Sequence, residues 1–214
     1  MKITFDNKKL FLNPDGSIFW EDEQVLILTD LHLEKGSSYA NLGNYLPPYD
    51  SLDTLIKLTS RLKTNIIKKI FLLGDVFHDY NAYNRMGLKE KNIFDAICNN
   101  NEIIWIFGNH EKGFFPPRVT THNSYKFKGV IFNHAANKQI DKEISGHYHP
   151  KVSFLYKNRK LSRPCFLVSK KKIILPSYGS FTGGLNMKSK VIKDLFTDNF
   201  NVYALGNTKV IPIK

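Results

Sequence analysis

The sequence predicts an α/β fold, and three observations support this prediction. Apolar runs typical of buried strands alternate with helical patterns in the first half of the chain. Each of these runs ends in a cluster of polar residues. The composition, 42% hydrophobic and 23% charged residues in a chain of 214 residues, is typical of a globular protein. We therefore expect a single α/β domain over residues 1–214.

The elements of the first half follow from local signals in chain order. Asn-Pro-Asp-Gly at 13–16 predicts a hairpin between residues 9–12 and 17–20. Asp50 is the predicted N-cap of a helix that ends near Leu62, and a second helix is expected around 86–98. The segment between the first strand and Asp50, with Gly36 and Gly43, is expected to be a loop. The predicted strands are 24–29, 69–73, 102–107, 129–133 and 143–145.

The second half of the chain has a more β-like pattern. Residues 191–196 fit either a helix or a strand. Pro212 has no N–H to donate, so the last strand is expected at a sheet edge. The predicted strands of this half are 152–156, 166–169, 172–175, 201–205 and 208–213.

The chain is basic, with a formal net charge of +12 and a pI near 9.5. This balance favours a polyanionic partner such as nucleic acid. A biased base composition of the gene would also enrich lysine, and the lysines are spread along the chain. Their densest stretch lies between residues 151 and 172.

The sequence has no pattern of a membrane span or a signal peptide, and it has only two cysteines. No apolar run is long enough to cross a membrane, and polar residues interrupt the first twenty positions where a signal peptide would be apolar. We expect a cytoplasmic protein. Cys98 and Cys165 lie in apolar patterns and are predicted to be small core residues without a disulfide.

Histidine is concentrated where the predicted strands end. Six of the seven histidines lie in these clusters together with Asp and Asn, and only His122 lies elsewhere, in a predicted surface loop. The carboxyl ends of strands are where α/β sheets build ligand sites. The clustered residues are Asp30, His32, Asp75, His78, Asn109, His110, His134, His147 and His149.

The pair His147 and His149 illustrates the chemistry of these clusters. In an extended segment two residues one apart face the same side and could share a metal, although such a pair is also common on surface loops. Mixed imidazole and carboxylate ligands suit Mn, Fe, Zn, Co or Ni. A structural zinc site is not predicted, because no cysteine accompanies the histidines.

The order of the motifs is specific. D-x-H at 30–32, G-D-x-x-H at 74–78, G-N-H-E at 108–111, His134 and G-H-x-H at 146–149 together resemble the calcineurin-like metallophosphoesterase superfamily. The resemblance implies a four-layer α-β-β-α sandwich of two mixed sheets, with metals at the strand ends. It also implies a metal-dependent phosphoesterase.

The same resemblance implies two metal sites that share one carboxylate. The first would be held by Asp30, His32, Asp75 and His149, and the second by Asp75, Asn109, His134 and His147. Two such cations would clamp the oxygens of an in-line displacement and generate a bridging hydroxide. Mn²⁺ is the expected metal, with Fe, Zn, Co or Ni as alternatives. His110 would contact the phosphate and act as a general acid.

Position 78 departs from many phosphatases of the superfamily, which have Asp there. GDVFH at 74–78 is similar to the double-strand-break repair nuclease branch, in which this histidine faces the scissile phosphate. His78 is therefore a second candidate catalytic residue. The alternative is that His78 only orders its loop.

Further segments outside the metal motifs narrow the resemblance. LPPYD at 46–50, GDVFHD, GHYHP and LPSYGSFTGGLN at 175–186 resemble the ligase-associated DNA-damage-response endonucleases, an ICC-like phosphoesterase group. Three departures are Tyr178 in place of Phe, Glu111 in place of Asp, and Ala135 where proline usually follows the histidine closely. The resemblance implies an Mn²⁺-dependent DNA endonuclease in repair, functionally linked to an ATP-dependent ligase, a helicase and an exonuclease-like protein.

Two other functions remain open from the sequence. One is a phosphoesterase of a small nucleotide or nucleotide-linked metabolite, and the other is a non-catalytic metal-binding scaffold for repair partners. The glycines and hydroxyl groups of residues 175–186 could approach a phosphate, or the segment could be a plain connection packed on the sheet. The sequence does not predict endo- or exonuclease action, strand preference or oligomeric state.

Overall fold

Two β-sheets pack face to face in the computed structural model, with helices on the outer faces. This arrangement confirms the predicted four-layer α/β fold. The structure describes residues 1–44, 47, 49–110, 116 and 119–213. The strands are β1 (Lys2–Phe5), β2 (Lys8–Leu12), β3 (Ile18–Trp20), β4 (Val25–Leu28), β5 (Lys69–Leu73), β6 (Glu102–Ile106), β7 (Thr120–His122), β8 (Tyr125–Phe127), β9 (Val130–Asn133), β10 (Glu143–Ser145), β11 (Lys151–Tyr156), β12 (Arg159–Val168), β13 (Lys172–Ile174), β14 (Asn201–Leu205) and β15 (Val210–Ile213). The helices are α1 (Lys35–Asn41), α2 (Asp50–Leu62), α3 (Ala82–Arg85), α4 (Leu88–Asn100) and α5 (Lys190–Lys193).

The first sheet has the order β1-β2-β3-β4-β5-β6-β7. Strands β1 to β4 are antiparallel neighbours, and β4 to β7 are parallel. Because parallel strands run in one direction, the loops that follow β4, β5 and β6 leave the sheet at the same edge. Those loops carry the first three polar clusters.

The apolar runs of β4, β5 and β6 are continuous because both faces of this sheet are covered. Ile27 and Phe71 point into the core between the two sheets. Leu26, Ile70 and Trp105 point to the opposite face, where they pack against α2 and α4. The two-residue period of a strand therefore divides each run between two separate cores.

The second sheet has the order β15-β14-β12-β13-β10-β9-β8, and β11 pairs with β12 outside this path. Strands β9, β10 and β13 are parallel, so their ends also share one edge. β15 is the edge strand, as Pro212 predicts. On the outer face, the short α5 and residues 187–200 supply the covering layer through Ile192 and Phe196.

Three local predictions were wrong. Residues 35–41 form α1 instead of a loop. The N-cap of α2 is Tyr49, and the carboxylate of Asp50 accepts a hydrogen bond from the N–H of Gly36 (2.9 Å). His122 ends strand β7 and is half-buried against Tyr125, with ring centroids 4.7 Å apart. For Asp50 and for His122, a contact with a residue of another element determines where the side chain lies.

Other expectations agree with the structure or stay predictions. Cys98 and Cys165 are buried and free. Within the described ranges, no helix combines the length and the apolar character needed to span a bilayer. The ambiguous residues 191–196 include most of α5. The single domain over 1–214 stays a prediction.

Candidate metal centre

The loops after five strands bring the predicted ligands to one place. The loop after β4 carries Asp30 and His32, and the loop after β10 carries His147 and His149. The two sheets meet here, since the N–H of His147 donates to Asp30 Oδ2 (2.9 Å). Residues far apart in the sequence are therefore neighbours at the shared edge of the sandwich.

The first cluster contains Asp30, His32 and His149, whose ligand atoms all lie within 4.8 Å of one another. His149 Nε2 is 3.0 Å from Asp30 Oδ1, and the two Nε2 atoms of His32 and His149 are 3.4 Å apart. Asp30 is fully buried. The three side chains therefore point their ligand atoms at a common space.

The second cluster contains Asp75, His134 and His147, again within 4.8 Å. His134 Nε2 lies 3.2 Å from Asp75 Oδ2 and 3.1 Å from His147 Nδ1. Asn109 joins this cluster, with its Nδ2 atom 3.2 Å from His147 Nδ1. A half-turn of that amide would bring its oxygen to the same place, because the two orientations are nearly indistinguishable in shape.

Asp75 connects the two clusters. Its oxygen also lies within 4.8 Å of ligand atoms of His32 and His110, and its Oδ1 accepts a hydrogen bond from the backbone N–H of His110 (3.0 Å). One carboxylate thus faces both groups of histidines. This is the position that a bridging ligand needs.

The backbone at the clusters adopts a rare conformation. Asp30, His32, Asp75, His147 and His149 all have positive φ, between 43° and 69°. Non-glycine residues seldom adopt this region, and such strain is concentrated at functional sites. The assumption that 147–149 is extended was wrong: the left-handed turns at His147 and His149 aim the two rings at different clusters.

We tested whether these residues fit divalent cations. Asp30 Oδ1 is buried and has no hydrogen bond of regular geometry within the described part of the chain, although His149 Nε2 lies 3.0 Å away. A buried carboxylate oxygen normally has such a partner. The Nδ1 atom of His134 faces the carbonyl oxygen of Leu73 (2.8 Å). Since a carbonyl only accepts, Nδ1 carries a proton, and Nε2 is the atom that can bind a cation once it is deprotonated. Both features fit a cation.

The surroundings keep the Asp75 carboxylate ionised and shift the pKa values of His32 and His134 in opposite directions. Burial would raise the pKa of Asp75, but the contacts with His134 and His110 hold it well below its usual value. Burial lowers the pKa of His32 to about 3, so its ring is neutral. Burial also opposes protonation of His134, but Asp75 and Asp30 outweigh it and raise its pKa to about 9. Without a cation, a proton on His134 offsets part of the carboxylate charge.

A groove of about 420 Å³ opens beside the first cluster. His78 and His110 line it together with Lys35 and Tyr39 of α1. The His78 ring lies beside His110, and its buried Nδ1 atom has no hydrogen-bond partner within the described part of the chain. His78 therefore borders the groove, and its catalytic role stays a prediction.

The segment 175–186 packs beneath the site and also reaches the groove. The Ser177 hydroxyl donates to the carbonyl oxygen of Asp30 (2.7 Å), and the N–H of Gly179 donates to the same oxygen (3.0 Å). Gly183 and Gly184 line the groove wall. The segment therefore supports the Asp30 loop and borders the place where a substrate would lie.

Sequence reasoning missed several residues around the centre. Thr29 Oγ1 lies 2.7 Å from Asp30 Oδ2 and 2.8 Å from the carbonyl oxygen of Leu73, and can donate to either. Lys35 and Tyr39 were missed because they lie in the segment predicted as a loop. Glu111 and two residues of LPPYD, Leu46 and Pro48, lie outside the described residues.

Facing sheets with clustered carboxylates and imidazoles at one edge define a class of metal-dependent hydrolases. The model of the calcineurin-like phosphoesterase family matches residues 24–204, and the chain belongs to that family. It is a metal-dependent phosphoesterase.

Two relatives illustrate the range of the similarity. The crystal structure of the nuclease MPE of Pseudomonas putida superposes with a TM-score of 0.78 at 23% sequence identity, covering 100% of this chain and 99% of that one. The uncharacterized protein MJ1445 of Methanocaldococcus jannaschii is 25% identical over 133 residues, which are 59% of this chain and 69% of that protein. The structural similarity shows that the fold extends over the whole chain.

Proposed function

We propose that this protein is a binuclear phosphodiesterase that cleaves DNA with two divalent cations. Mn²⁺ is the proposed metal. The single observation that carries the proposal is the position of Asp75, whose carboxylate reaches both histidine clusters. A bridging carboxylate keeps two cations close by offsetting their repulsion. Two cations a few ångströms apart suit phosphodiester hydrolysis.

The proposed ligands fall into two sets, one for each cation, that correspond to the two clusters. Asp30, His32 and His149 would hold one cation and Asn109, His134 and His147 the other, with Asp75 shared. When bound, the two cations supply Lewis acidity and a nucleophile from water at neutral pH. The protein contributes a rigid set of ligands, because Thr29, Leu73 and the backbone N–H groups hold them from behind.

Residues of the groove would position and protonate the substrate. The side chain of His110 is 44% exposed, and its Nε2 lies 3.9 Å from Asp75 Oδ2. At this place it can donate a proton to the leaving oxygen. Burial and the nearby His110 lower the pKa of His78, which favours its uncharged form, and the ring can form a hydrogen bond with the same phosphate. Lys35, which also lines the groove, would contribute positive charge.

The choice of DNA has three supports. The chain carries a net charge of +12, which collects polyanions. A protein that shares this fold over its whole length is a nuclease in Pseudomonas putida. The motif similarity to DNA-damage-response endonucleases extends the proposal to DNA repair, in functional association with an ATP-dependent ligase, a helicase and an exonuclease-like protein.

The experiment measures nicking of supercoiled plasmid DNA in Mn²⁺ over a salt series. The matched variant is Asp75→Asn, which keeps the size of the side chain and removes its charge. We expect wild-type nicking that weakens as salt rises, and a loss of at least about 100-fold in the variant, more than the loss of an outer-shell partner causes. A chromogenic phosphodiester is assayed in parallel.

Two results would contradict the proposal in different ways. Intact plasmid together with Asp75-dependent cleavage of the small diester would show that the metals work and that a small nucleotide is the better substrate. If the protein binds two metals but cleaves neither substrate, the result would support the non-catalytic metal-binding scaffold. Plasmid nicking that persists in Asp75→Asn would indicate a contaminating nuclease.

A further inference from the structure

The hairpin formed by β11 and β12 extends beyond the second sheet. Residues 151–156 pair with residues 159–164, in antiparallel register from Lys151↔Pro164 to Tyr156↔Arg159, and Lys151 at the base also forms a single parallel bridge with Asn186. Its two-residue turn, Lys157 and Asn158, has positive φ at both positions, as in the hairpin turns that match strand twist. We call residues 151–164 the arm.

The arm leaves the sheet at the same edge as the metal centre. β12 runs antiparallel to β13, with Leu167 opposite Ile174, and β13 runs parallel to β10, whose end Ser145 precedes the GHYH loop. Residues of β12 before Leu167 therefore extend past the edge at which His147 and His149 lie. Pro150 connects His149 directly to the first residue of the arm.

The base of the arm is fixed to the groove wall. The N–H of Lys151 donates to the carbonyl oxygen of Leu185 (2.8 Å), and Lys151 Nζ donates to that of Thr182 (3.3 Å). Leu185 also lines the groove. On one face of the arm Val152 is buried and packs with Phe154 against the outer core of the second sheet. The arm is thus held rigidly relative to the metal ligands.

The charge of the arm has one sign. It carries five basic residues, and the sequence contains no Asp or Glu between Glu143 and Asp194. Arg159, Lys160 and Arg163 are exposed and form no ion pair with any described acidic residue. Leu155 near the tip is 78% exposed. The exposed side chains of Arg159, Lys160 and Arg163 therefore attract a polyanion.

We propose that the arm is a nucleic-acid-binding surface that holds the strand running out of the groove. This inference rests on the proposed DNA cleavage and adds where the substrate binds away from the metals. Six residues of strand span about 20 Å, which is the length of about six phosphates on one DNA strand. A small nucleotide would not reach the arm, so the surface favours a polymer.

The test compares two double variants with equal loss of charge. Arg159→Ala/Lys160→Ala removes one basic side chain from each face of the arm. The matched control is Lys63→Ala/Lys68→Ala, two exposed lysines just before β5, at the end of the first sheet opposite the ligand loops. Plasmid nicking, hydrolysis of a chromogenic phosphodiester and anisotropy of a labelled single-stranded oligonucleotide in EDTA are measured on all three proteins.

We expect the arm variant to bind the oligonucleotide about tenfold more weakly. Its slope of log affinity against log salt should be shallower by about 1.4 units, since each phosphate contact on a single strand contributes about 0.7. Plasmid nicking should fall in parallel, while hydrolysis of the small diester stays unchanged. The control variant should resemble wild type in all three assays.

Other results would overturn the inference. Equal oligonucleotide affinity in wild type and the arm variant would refute it, and equal losses in both variants would show a general charge effect. Co-sedimentation with anionic lipid vesicles is measured as a further control, and an arm variant that loses only this binding would assign the arm to a membrane surface. If wild type fails to nick DNA, the proposed DNA cleavage fails, but the anisotropy measurement still decides the role of the arm.

Discussion

The imidazole rings of His78 and His110 stack, with centroids 5.3 Å apart and planes inclined by 20°. The His32 ring lies edge-on to both, at 5.7 Å and 5.4 Å. Three histidines from three loops therefore form one wall of the groove. His32 is a proposed ligand of the first cation together with Asp30 and His149, whereas His78 and His110 are not proposed ligands and border the groove where a substrate would lie.

Replacement of His78 separates a catalytic role from a structural one. We expect His78→Ala to lower turnover of the phosphodiester about 100-fold, within the range for loss of a positioned proton-transfer or phosphate-contacting group. Two metals per chain should be retained, as measured by elemental analysis. His122→Ala, outside the groove, is the control and should keep both the wild-type turnover and the two metals. Loss of metal in His78→Ala would show that the residue orders the site instead.

Gly146 permits the close approach of two loops. A Cβ atom at this position would collide with Thr29 Oγ1 and would lie 2.6 Å from Asp30 Oδ2. We expect Gly146→Ala to displace Asp30 and to weaken metal affinity by about 10- to 100-fold, as disturbed outer-shell partners do. Isothermal titration with Mn²⁺ measures the affinity. Gly183→Ala is the matched control, because a Cβ there meets nothing within 4 Å. Equal affinities in both variants would contradict this account.

A buried ion pair holds the loop that follows His134. Glu143 Oε2 accepts from Lys172 Nζ (2.8 Å), and both carboxylate oxygens accept from the N–H of Asn137 (3.0 Å). Both charged side chains are almost fully buried. Glu143→Gln should lower the free energy of unfolding by about 3 kcal/mol or more, because it leaves the Lys172 ammonium without a counter-charge.

Urea denaturation of three proteins tests this ion pair. The double variant Glu143→Gln/Lys172→Met should recover part of the lost stability, because removal of both charges also removes the unpaired ammonium. A loss below about 1 kcal/mol in the single variant would mean that water reaches Lys172 and screens it.

The burial of Lys57 should make the free energy of unfolding rise at alkaline pH. Burial lowers its pKa from 10.5 to about 8, while its ammonium lies 3.9 Å from the centroid of the Tyr178 ring. Between these two pKa values the unfolded chain binds more protons than the folded protein. Stability therefore increases as pH rises from about 8 to about 10.5, by on the order of 3 kcal/mol at most.

The effect is isolated by subtracting Lys57→Met from wild type. The buried thiols of Cys98 and Cys165, whose pKa burial raises to about 12, act in the opposite direction above pH 9 or so. They are present in both proteins and cancel in the difference. Urea unfolding at several pH values should give a difference that grows in favour of wild type. A flat difference would show that Lys57 is solvated in the folded state.

Much of the fold and of the candidate site was predictable from local patterns. The apolar runs that became β4, β5 and β6 are long and uninterrupted, because both faces of the first sheet are covered. Parallel strands place their carboxyl ends together, so clusters such as Asp30–His32 and Asn109–His110 were expected to meet. The helix α1 was missed because Gly36 and two serines weaken its pattern, and the contact of Gly36 with Asp50 stabilises it.

The sequence by itself determined the α/β class, the order of the motifs and the chemical types of the candidate ligands, since these depend on neighbouring residues. Tertiary structure alone decided which side chains share a cluster, because Asp30 and His149 are 119 positions apart in the chain and meet only when the sheets pack. It also decided the left-handed backbone at five candidate ligands and the support from Thr29 and Leu73. Those features are costly in a free chain, and only the packed surroundings of the folded protein maintain them.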